Sequence, residues 1–260
     1  MPPIEWKIIG ASVAGFSHQA EATPCQDFHT VSLLTNGWLV GAVSDGAGSA
    51  PRSAEGAKAI CEGVVSQIAT HISQFSDDKD ACLEQTTVRS WVTDGVEFVR
   101  TKLTKIGTND SIADFHATLV GVIAGPNGGL FFHIGDGAAC ATDTENFSSS
   151  ILSFPENGEY ANETFFFTQK NWHEHLRLTP FDQKFNLIVL MSDGVTPFAL
   201  AHGMSGPHAP FFSPLSRYLV AHTREEGEAA LAATLEKDAI RHITGDDKTL
   251  LWALRIESDG

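Results

Sequence analysis

The feature that most constrains this chain is a buried strand that ends in a carboxylate. The apolar run 38–43 delivers an Asp-Gly corner at Asp45–Gly46, inside Ala42-Val-Ser-Asp-Gly-Ala-Gly-Ser-Ala50, and a helix is expected to begin near Pro51 or Arg52. The same device returns at Leu187-Ile-Val-Leu-Met-Ser-Asp-Gly194. A carboxylate at the end of a buried strand is costly unless something pairs with it. The glycines beside it permit tight turns or a close backbone approach. Two such corners in one chain point to acids converging on a cation, with the remaining sequence as the scaffold that gathers them.

A chain of 260 residues, 42% of them hydrophobic, can bury a full core and is read as one domain over 1–260. Its 17 basic and 32 acidic side chains leave a net charge of −15, a field that disfavours nucleic acid and anionic membrane as partners. A phosphorylated substrate would be repelled as well, unless cations neutralised the acids locally. Cys25, Cys61, Cys82 and Cys140 show no Cys-x-x-Cys spacing and read as reduced thiols. The start, Met1-Pro-Pro-Ile-Glu-Trp-Lys7, has no leader-like pattern, and no apolar run approaches the ~20 residues of a membrane span. The expectation is a soluble, cytoplasmic monomer.

Residues 6–12 and 28–34 read as short strands, and Asn36-Gly37 is a hairpin signal joining the second to 38–43. Beyond Asp45 the pattern turns helical: Ala54, Ala57, Ile60, Cys61, Val64, Val65, Ile68 and Ile72 recur in three- and four-residue steps. Ser76-Asp-Asp-Lys-Asp80 breaks that helix. A second carries Trp91, Val92, Val96, Val99 and Leu103 on its apolar side and ends at Gly107-Thr-Asn-Asp110. Strands are expected over 116–124 and 129–134 about the turn Gly125-Pro-Asn-Gly128, with another over 138–142. Residues 143–162 read as irregular, 164–168 and 185–191 as strands, and 196–213 as an exposed loop or flap. Helices over 215–222 and 225–240 precede a last strand over 249–256. This order fits an α+β domain of antiparallel sheets with helices packed outside, rather than regular βαβ alternation.

Asp27, Asp45, Asp136, Asp193 and Asp246 all sit at strand ends or in turns beside strands. Hard divalent cations prefer oxygen ligands, and magnesium takes one or two carboxylates while keeping waters. Two ions about 3.5–4 Å apart suit displacement at phosphorus, whose barrier falls through positioning and charge neutralisation. A single Asp-Gly is more often only a turn. The repetition of strand, small residue, Asp, Gly is what raises the metal reading above that default.

The ordered motifs resemble a family. Gly15-Phe-Ser-His18, Pro24-Cys-Gln-Asp27, Ser44-Asp-Gly-Ala-Gly-Ser-Ala50, Ala117-Thr-Leu119, Gly135-Asp-Gly137, Met191-Ser-Asp-Gly194 and Asp246-Asp-Lys-Thr249 look like bacterial type 2C protein phosphatases. These are metal-dependent serine/threonine phosphatases. The likeness spans roughly residues 8 to 256 and is nearest a compact branch with Cys-Gln-Asp in place of Asn-Glu-Asp. It implies a four-layer α-β-β-α fold, a central antiparallel β-sandwich flanked by helix pairs. It also implies two magnesium or manganese ions, bridged by Asp45, bound by the Gly46 carbonyl, and completed by Asp193 and Asp246. Asp27 would hold water on a metal from one layer back, and a hydroxide between the ions would attack phosphoserine or phosphothreonine in line. A third ion is a further implication, with Asp114 the nearest candidate and an exposed loop acid its plainer reading.

The chain also departs from the family pattern. The phosphate-gripping arginine falls at Ala22, the histidine after Asp-Gly is Ala47, and Gln26 replaces a glutamate. His18 or Arg52 could take over phosphate binding or proton delivery. Asp247 occupies a slot where asparagine is common, either adding negative charge near the metals or capping the turn. His173 and His175 read as surface or groove residues rather than a zinc pair. Three functional readings remain open. The first is a phosphoprotein phosphatase working opposite a serine/threonine kinase. The second is a catalytically weak phosphatase-like module that binds a kinase or phosphoprotein. The third is a hydrolase of small phosphorylated metabolites.

Overall fold

A computed structural model describes residues 4–34, 37–74, 83–106, 111–156 and 164–257. In chain order these form β1 (Ile4–Val13), α1 (Phe16–Ala20), β2 (Phe28–Leu33), β3 (Leu39–Ser44), α2 (Ser53–Gln74) and α3 (Gln85–Leu103). Then come β4 (Leu119–Gly125), β5 (Gly128–Ile134), β6 (Ala138–Asp143), β7 (Asn146–Ser153), β8 (Arg177–Asp182) and β9 (Leu187–Met191). The chain closes with α4 (Thr196–Ala199), α5 (Ala209–Ala221), α6 (Arg224–Leu235), α7 (Asp238–Arg241) and β10 (Lys248–Glu257). The turn position Asn36, the helix break at 76–80, Cys82 and the helix end at 107–110 lie outside the described residues.

The strands make two five-stranded antiparallel sheets, ordered β1-β10-β9-β6-β7 and β2-β3-β4-β5-β8. The central strands are buried on both faces, which is why they read as nearly unbroken apolar runs rather than alternating ones. In β9, Ile188 and Leu190 face the opposite sheet, while Leu187, Val189 and Met191 face helices. In β3, Leu39 and Val43 point between the sheets, and Val40 and Ala42 pack under α2 and α3. α5 and α6 cover the other sheet, where the buried Trp252 indole donates to Ser216 Oγ at 3.0 Å. The result is the four-layer α-β-β-α sandwich that the resemblance implied.

Strand register brings the acidic corners to one end of the sandwich. Phe28 pairs with Ser44, Val43 with Val120 and Leu119 with Ile134, so the chain just outside these pairs emerges on one edge. In the other sheet Val13 pairs with Lys248, Leu250 with Met191 and Ala138 with Met191. Asp27, Asp45, Asp136, Asp193 and Asp246 each lie one to three residues outside those pairs.

Five expected elements differ from the structure, one of them the helix expected over 225–240, which is parted into α6 and α7 at Glu236 and Lys237. β7 runs through the segment read as irregular, its Ser-rich sequence pairing with β6 along the sheet edge. β8, for which no strand was expected, pairs with β5. Residues 164–168 form no strand but a turn whose Phe167 N–H donates to Ala117 O and whose ring enters the core beneath α2 and α3. The stretch 196–213 is an exposed loop only at 202–205; its ends form α4 and the start of α5, and Phe198, Ala199, Leu200 and Phe212 join the core. Its Gly, Pro and His content suggested a loop, but Pro197 and Pro210 occupy first-turn helix positions, where a missing N–H costs nothing.

Gly56 fixes how α2 meets the chain leading into β4, because a Cβ there would lie 2.2 Å from the Phe115 carbonyl oxygen. An exposed helical Gly→Ala change gains about 0.5–1 kcal/mol. Here the sign reverses, and Gly56→Ala is expected to lower unfolding stability by about 1–3 kcal/mol in urea titration. A neutral or stabilising result would contradict this packing.

Candidate metal centre

Each corner is held by hydrogen bonds that its small neighbours allow. Asp45 donates its N–H to Thr118 Oγ1 at 3.0 Å and accepts from Thr118 N–H at 2.9 Å, while Ser44 Oγ donates to Thr118 O at 2.6 Å. Gly46 bridges to Ala117 in the same short ladder. On the second sheet Ser192 N–H donates to Thr249 O at 3.0 Å, and Thr249 N–H returns a bond to Ser192 Oγ at 2.9 Å. Gly194 is pressed against the following motif: a Cβ there would meet Asp247 O at 2.0 Å and lie 3.3 Å from Asp246 Cβ.

Carboxylate oxygens of Asp45, Asp136 and Asp193 lie within 4.8 Å of one another. Asp136 Oδ2 accepts from Thr164 Oγ1 at 2.5 Å, but Asp136 Oδ1, Asp193 Oδ1 and both oxygens of the buried Asp27 have no hydrogen-bond partner. Burial pushes the Asp27 carboxyl up to about 7. Burial, then the charges of Asp136 and Asp246, pushes Asp193 up to about 7. Asp45 is held well above the ordinary carboxylate range by burial and by the charges of Asp27 and Asp193. Buried, unpartnered, mutually repelling oxygens are what a hard divalent cation relieves, so this donor set fits magnesium or manganese.

The residues singled out in the sequence are placed as follows. Asp45, Gly46 and Asp193 stand at the centre, with Asp27 behind them. Asp246 is exposed, its Cβ against Gly194 and its charge felt at Asp193, but it lies outside the close trio. Asp114 also lies outside it, and its backbone carbonyl accepts from Arg52 N–H at 2.9 Å. Arg52 makes a bidentate pair with Glu55 and lies over the Phe115 ring at 4.3 Å. His18 Nδ1 lies 2.8 Å from Asp247 Oδ1. Asp247 stands outside the close trio, although its charge helps to raise the Asp27 carboxyl. It is buried and takes the N–H groups of Gly15 and Gln26, both at 2.6 Å.

Asp136 was legible as a turn acid but was not assigned as a ligand. Its Ile134-Gly-Asp-Gly137 repeats the strand-Asp-Gly pattern and was the signal to use. What the sequence concealed is its brace. Arg177 Nη2 and Glu156 N–H both donate to Gly135 O, at 2.9 and 3.0 Å, and Arg177 also donates to Phe154 O. Glu156 pairs with Arg177 at 3.2 Å and with His175 Nδ1 at 3.3 Å, and the His175 ring stacks on Phe165. His175 is therefore a brace rather than half of a zinc pair. His116, which was not singled out, is held by Thr168 Oγ1 and stacked on Phe166.

A two-sheet sandwich with carboxylates suited to a cation gathered at one end has the donor set of a metal-dependent enzyme. The sequence model described as protein phosphatase 2C matches residues 14–236. Serine/threonine-protein phosphatase 3 of Escherichia coli (strain K12) is 29% identical over 266 aligned positions, covering 98% of this chain and all of the relative. Stp1, a serine/threonine phosphatase from Staphylococcus aureus, superposes with a TM-score of 0.61 at 15% identity, over 99% of this chain and 96% of that one. The S. agalactiae serine/threonine phosphatase gives 0.63 at 16%, over 96% and 99%. The chain belongs to the protein phosphatase 2C family, and the two solved structures confirm the fold. The family is metal-dependent, and the acidic cluster is consistent with that dependence.

These shifts fix a pH dependence. A carboxyl whose folded pKa rises from 3.8 to about 7 keeps its proton in the folded chain where the unfolded chain has lost it. Metal-free stability therefore falls as pH rises across that interval, by about 2–4 kcal/mol per group. Chelator-treated protein is expected to melt at a lower temperature at pH 8 than at pH 5, with a shallower slope in Asp193→Asn. Manganese is expected to raise the pH 8 melting temperature. A metal-free melting temperature that stays level or rises with pH, unchanged in slope by Asp193→Asn, would contradict the burial of these acids.

Proposed function

We propose that this protein is a metal-dependent phosphatase acting on phosphoserine and phosphothreonine in proteins. The observation that carries the reading is the set of buried carboxylate oxygens without partners at Asp27, Asp136 and Asp193, beside Asp45. The proposal assigns two ions, magnesium or manganese, to Asp45, Asp136, Asp193 and Asp246 with the Gly46 carbonyl. It leaves out Asp114 and the third ion. When bound, the cations supply charge neutralisation for a phosphoryl group and an acidified water.

The chain's own groups then do three things. Asp45, Asp136 and Asp193 hold fixed positions because backbone bonds and the Arg177–Glu156 brace set their corners. Asp27, buried with both oxygens open, accepts from water and orients it. Ala22 and Ala47 carry no group that could hold phosphate, so any direct grip on phosphate from the protein falls to His18 or Arg52. The chemistry is displacement at phosphorus: water supplies the new P–O bond and the seryl or threonyl oxygen leaves.

The name of the E. coli relative supports serine/threonine specificity. A serine/threonine kinase that builds the same esters is the partner this chemistry calls for. We further propose a single domain acting as a monomer in the cytoplasm. The unbridged Cys25, Cys61 and Cys140 support that compartment, and no helix among the described residues is long and apolar enough to cross a membrane. The net charge of −15 supports the absence of nucleic-acid and anionic-membrane partners. A catalytically weak module has no physical use for costly unpartnered acids, which favours the enzyme.

The test is hydrolysis of a small aryl phosphate and a phosphothreonine peptide with manganese, with chelator, and by Asp193→Asn. Manganese-dependent turnover that falls about a hundredfold or more in the variant is expected. Absence of manganese-dependent turnover contradicts the reading. Preference for phosphotyrosine or sugar phosphates contradicts the substrate class.

A further inference from the structure

We propose that Asp247 and His18 form a carboxylate–histidine dyad, with His18 as the catalytic proton donor to the leaving oxygen and Asp247 as its positioning residue. The proposal rests on the phosphatase reading above. It starts from a contrast between two neighbouring acids. Asp246 is exposed, with Oδ1 accepting from Asp247 N–H at 3.1 Å, whereas Asp247 is 2% exposed and fully hydrogen-bonded. Asp247 Oδ1 accepts from Gly15 N–H and Oδ2 from Gln26 N–H, both at 2.6 Å. Two charge-assisted backbone bonds fix this carboxylate in one orientation. The third contact, to His18 Nδ1 at 2.8 Å, therefore fixes the imidazole.

An ionised carboxylate can only accept, so the nitrogen facing it carries the proton. That sets which ring atom is left for chemistry: Nε2, which makes no hydrogen bond among the described residues, on a side chain 20% exposed. α1 carries His18 onto the rim of the acidic site, because Ser17 N–H donates to Gly245 O at 3.3 Å, in the turn that leads to Asp246. Asp247 is close enough to raise the Asp27 carboxyl by its charge, which ties the dyad to the acids.

The reaction supplies the need. A seryl or threonyl alkoxide leaves poorly without a proton, whereas a nitrophenolate leaves unaided. In the proposed step the P–O bond to the alcohol breaks and its electron pair takes the proton from His18 Nε2–H. Water supplies the oxygen that bonds to phosphorus. The products are the alcohol and inorganic phosphate, and the ring regains its proton from the water consumed. Asp247 stabilises the imidazolium before transfer and keeps the ring from rotating.

The test compares wild-type, His18→Ala and His18→Gln enzyme, loaded with manganese, on a phosphothreonine peptide and on p-nitrophenyl phosphate. Both variants are expected to lose about a hundredfold in kcat/KM on the peptide and less than about tenfold on the aryl ester. Glutamine can keep a hydrogen bond to Asp247 but has no proton to give. Manganese affinity by calorimetry is expected to be unchanged in both. In Asp247→Asn, the nitrogen-15 signal of His18 Nδ1–H is expected to lose the signature of a hydrogen bond to a carboxylate that wild type should show. Equal losses on the two substrates, recovery in His18→Gln, weakened manganese binding, or an unchanged His18 signal in Asp247→Asn would each overturn the dyad alone. Absence of manganese-dependent hydrolysis by wild type would overturn the phosphatase reading, and the dyad with it.

Discussion

Carboxylates held together out of water repel one another, and the rest of this structure exists to hold them there. At 4.8 Å and an effective dielectric constant of about 20, each ionised pair costs about 3–4 kcal/mol. Burial adds to that cost, as the raised carboxyls of Asp27, Asp45 and Asp193 show. A fold that carries such a penalty while leaving oxygens of Asp27, Asp136 and Asp193 without partners is suited to a bound positive charge.

The sandwich provides the rigidity this requires. Strands buried on both faces, as β3 and β9 are, have no freedom to slip register, because a one-residue shift would exchange their two apolar faces. Their ends are fixed in turn by cross-strand bonds, Asp45 to Thr118 and Ser192 to Thr249. The Asp136 corner lies in the β5–β6 connection and is braced from outside the sheet by Arg177 and Glu156. Asp247 links the chain before β2 to the turn before β10, joining the first and last motifs of the domain. The same carboxylate that closes the fold is thus in a position to orient His18.

Much of this was legible in the sequence where a residue's own neighbours determine its place. Asp45 and Asp193 follow apolar runs and precede glycine, so their places at strand ends could be read from local pattern. The α2 and α3 periodicities held because their apolar stripes pack on one sheet face. Legibility failed where long-range pairing overrides composition. β7 is Ser-rich yet gains its ladder from β6, and the two ends of the Gly/Pro/His-rich stretch after Thr196 are helical because Phe198 and Phe212 find the core. The roles of Arg177, Glu156 and Asp247 could not be read locally, since each acts on residues 19 to 232 positions away.

The measurement that bears most directly on the central claim is calorimetric titration of manganese into metal-free protein at pH 7, in two buffers of different ionisation enthalpy. Carboxyls raised to about 7 must release protons when a cation binds. Saturable binding with net proton release, both diminished by Asp45→Asn, is the expected result. Failure to bind manganese, or binding without proton release that Asp45→Asn leaves intact, would contradict a cation-centred fold.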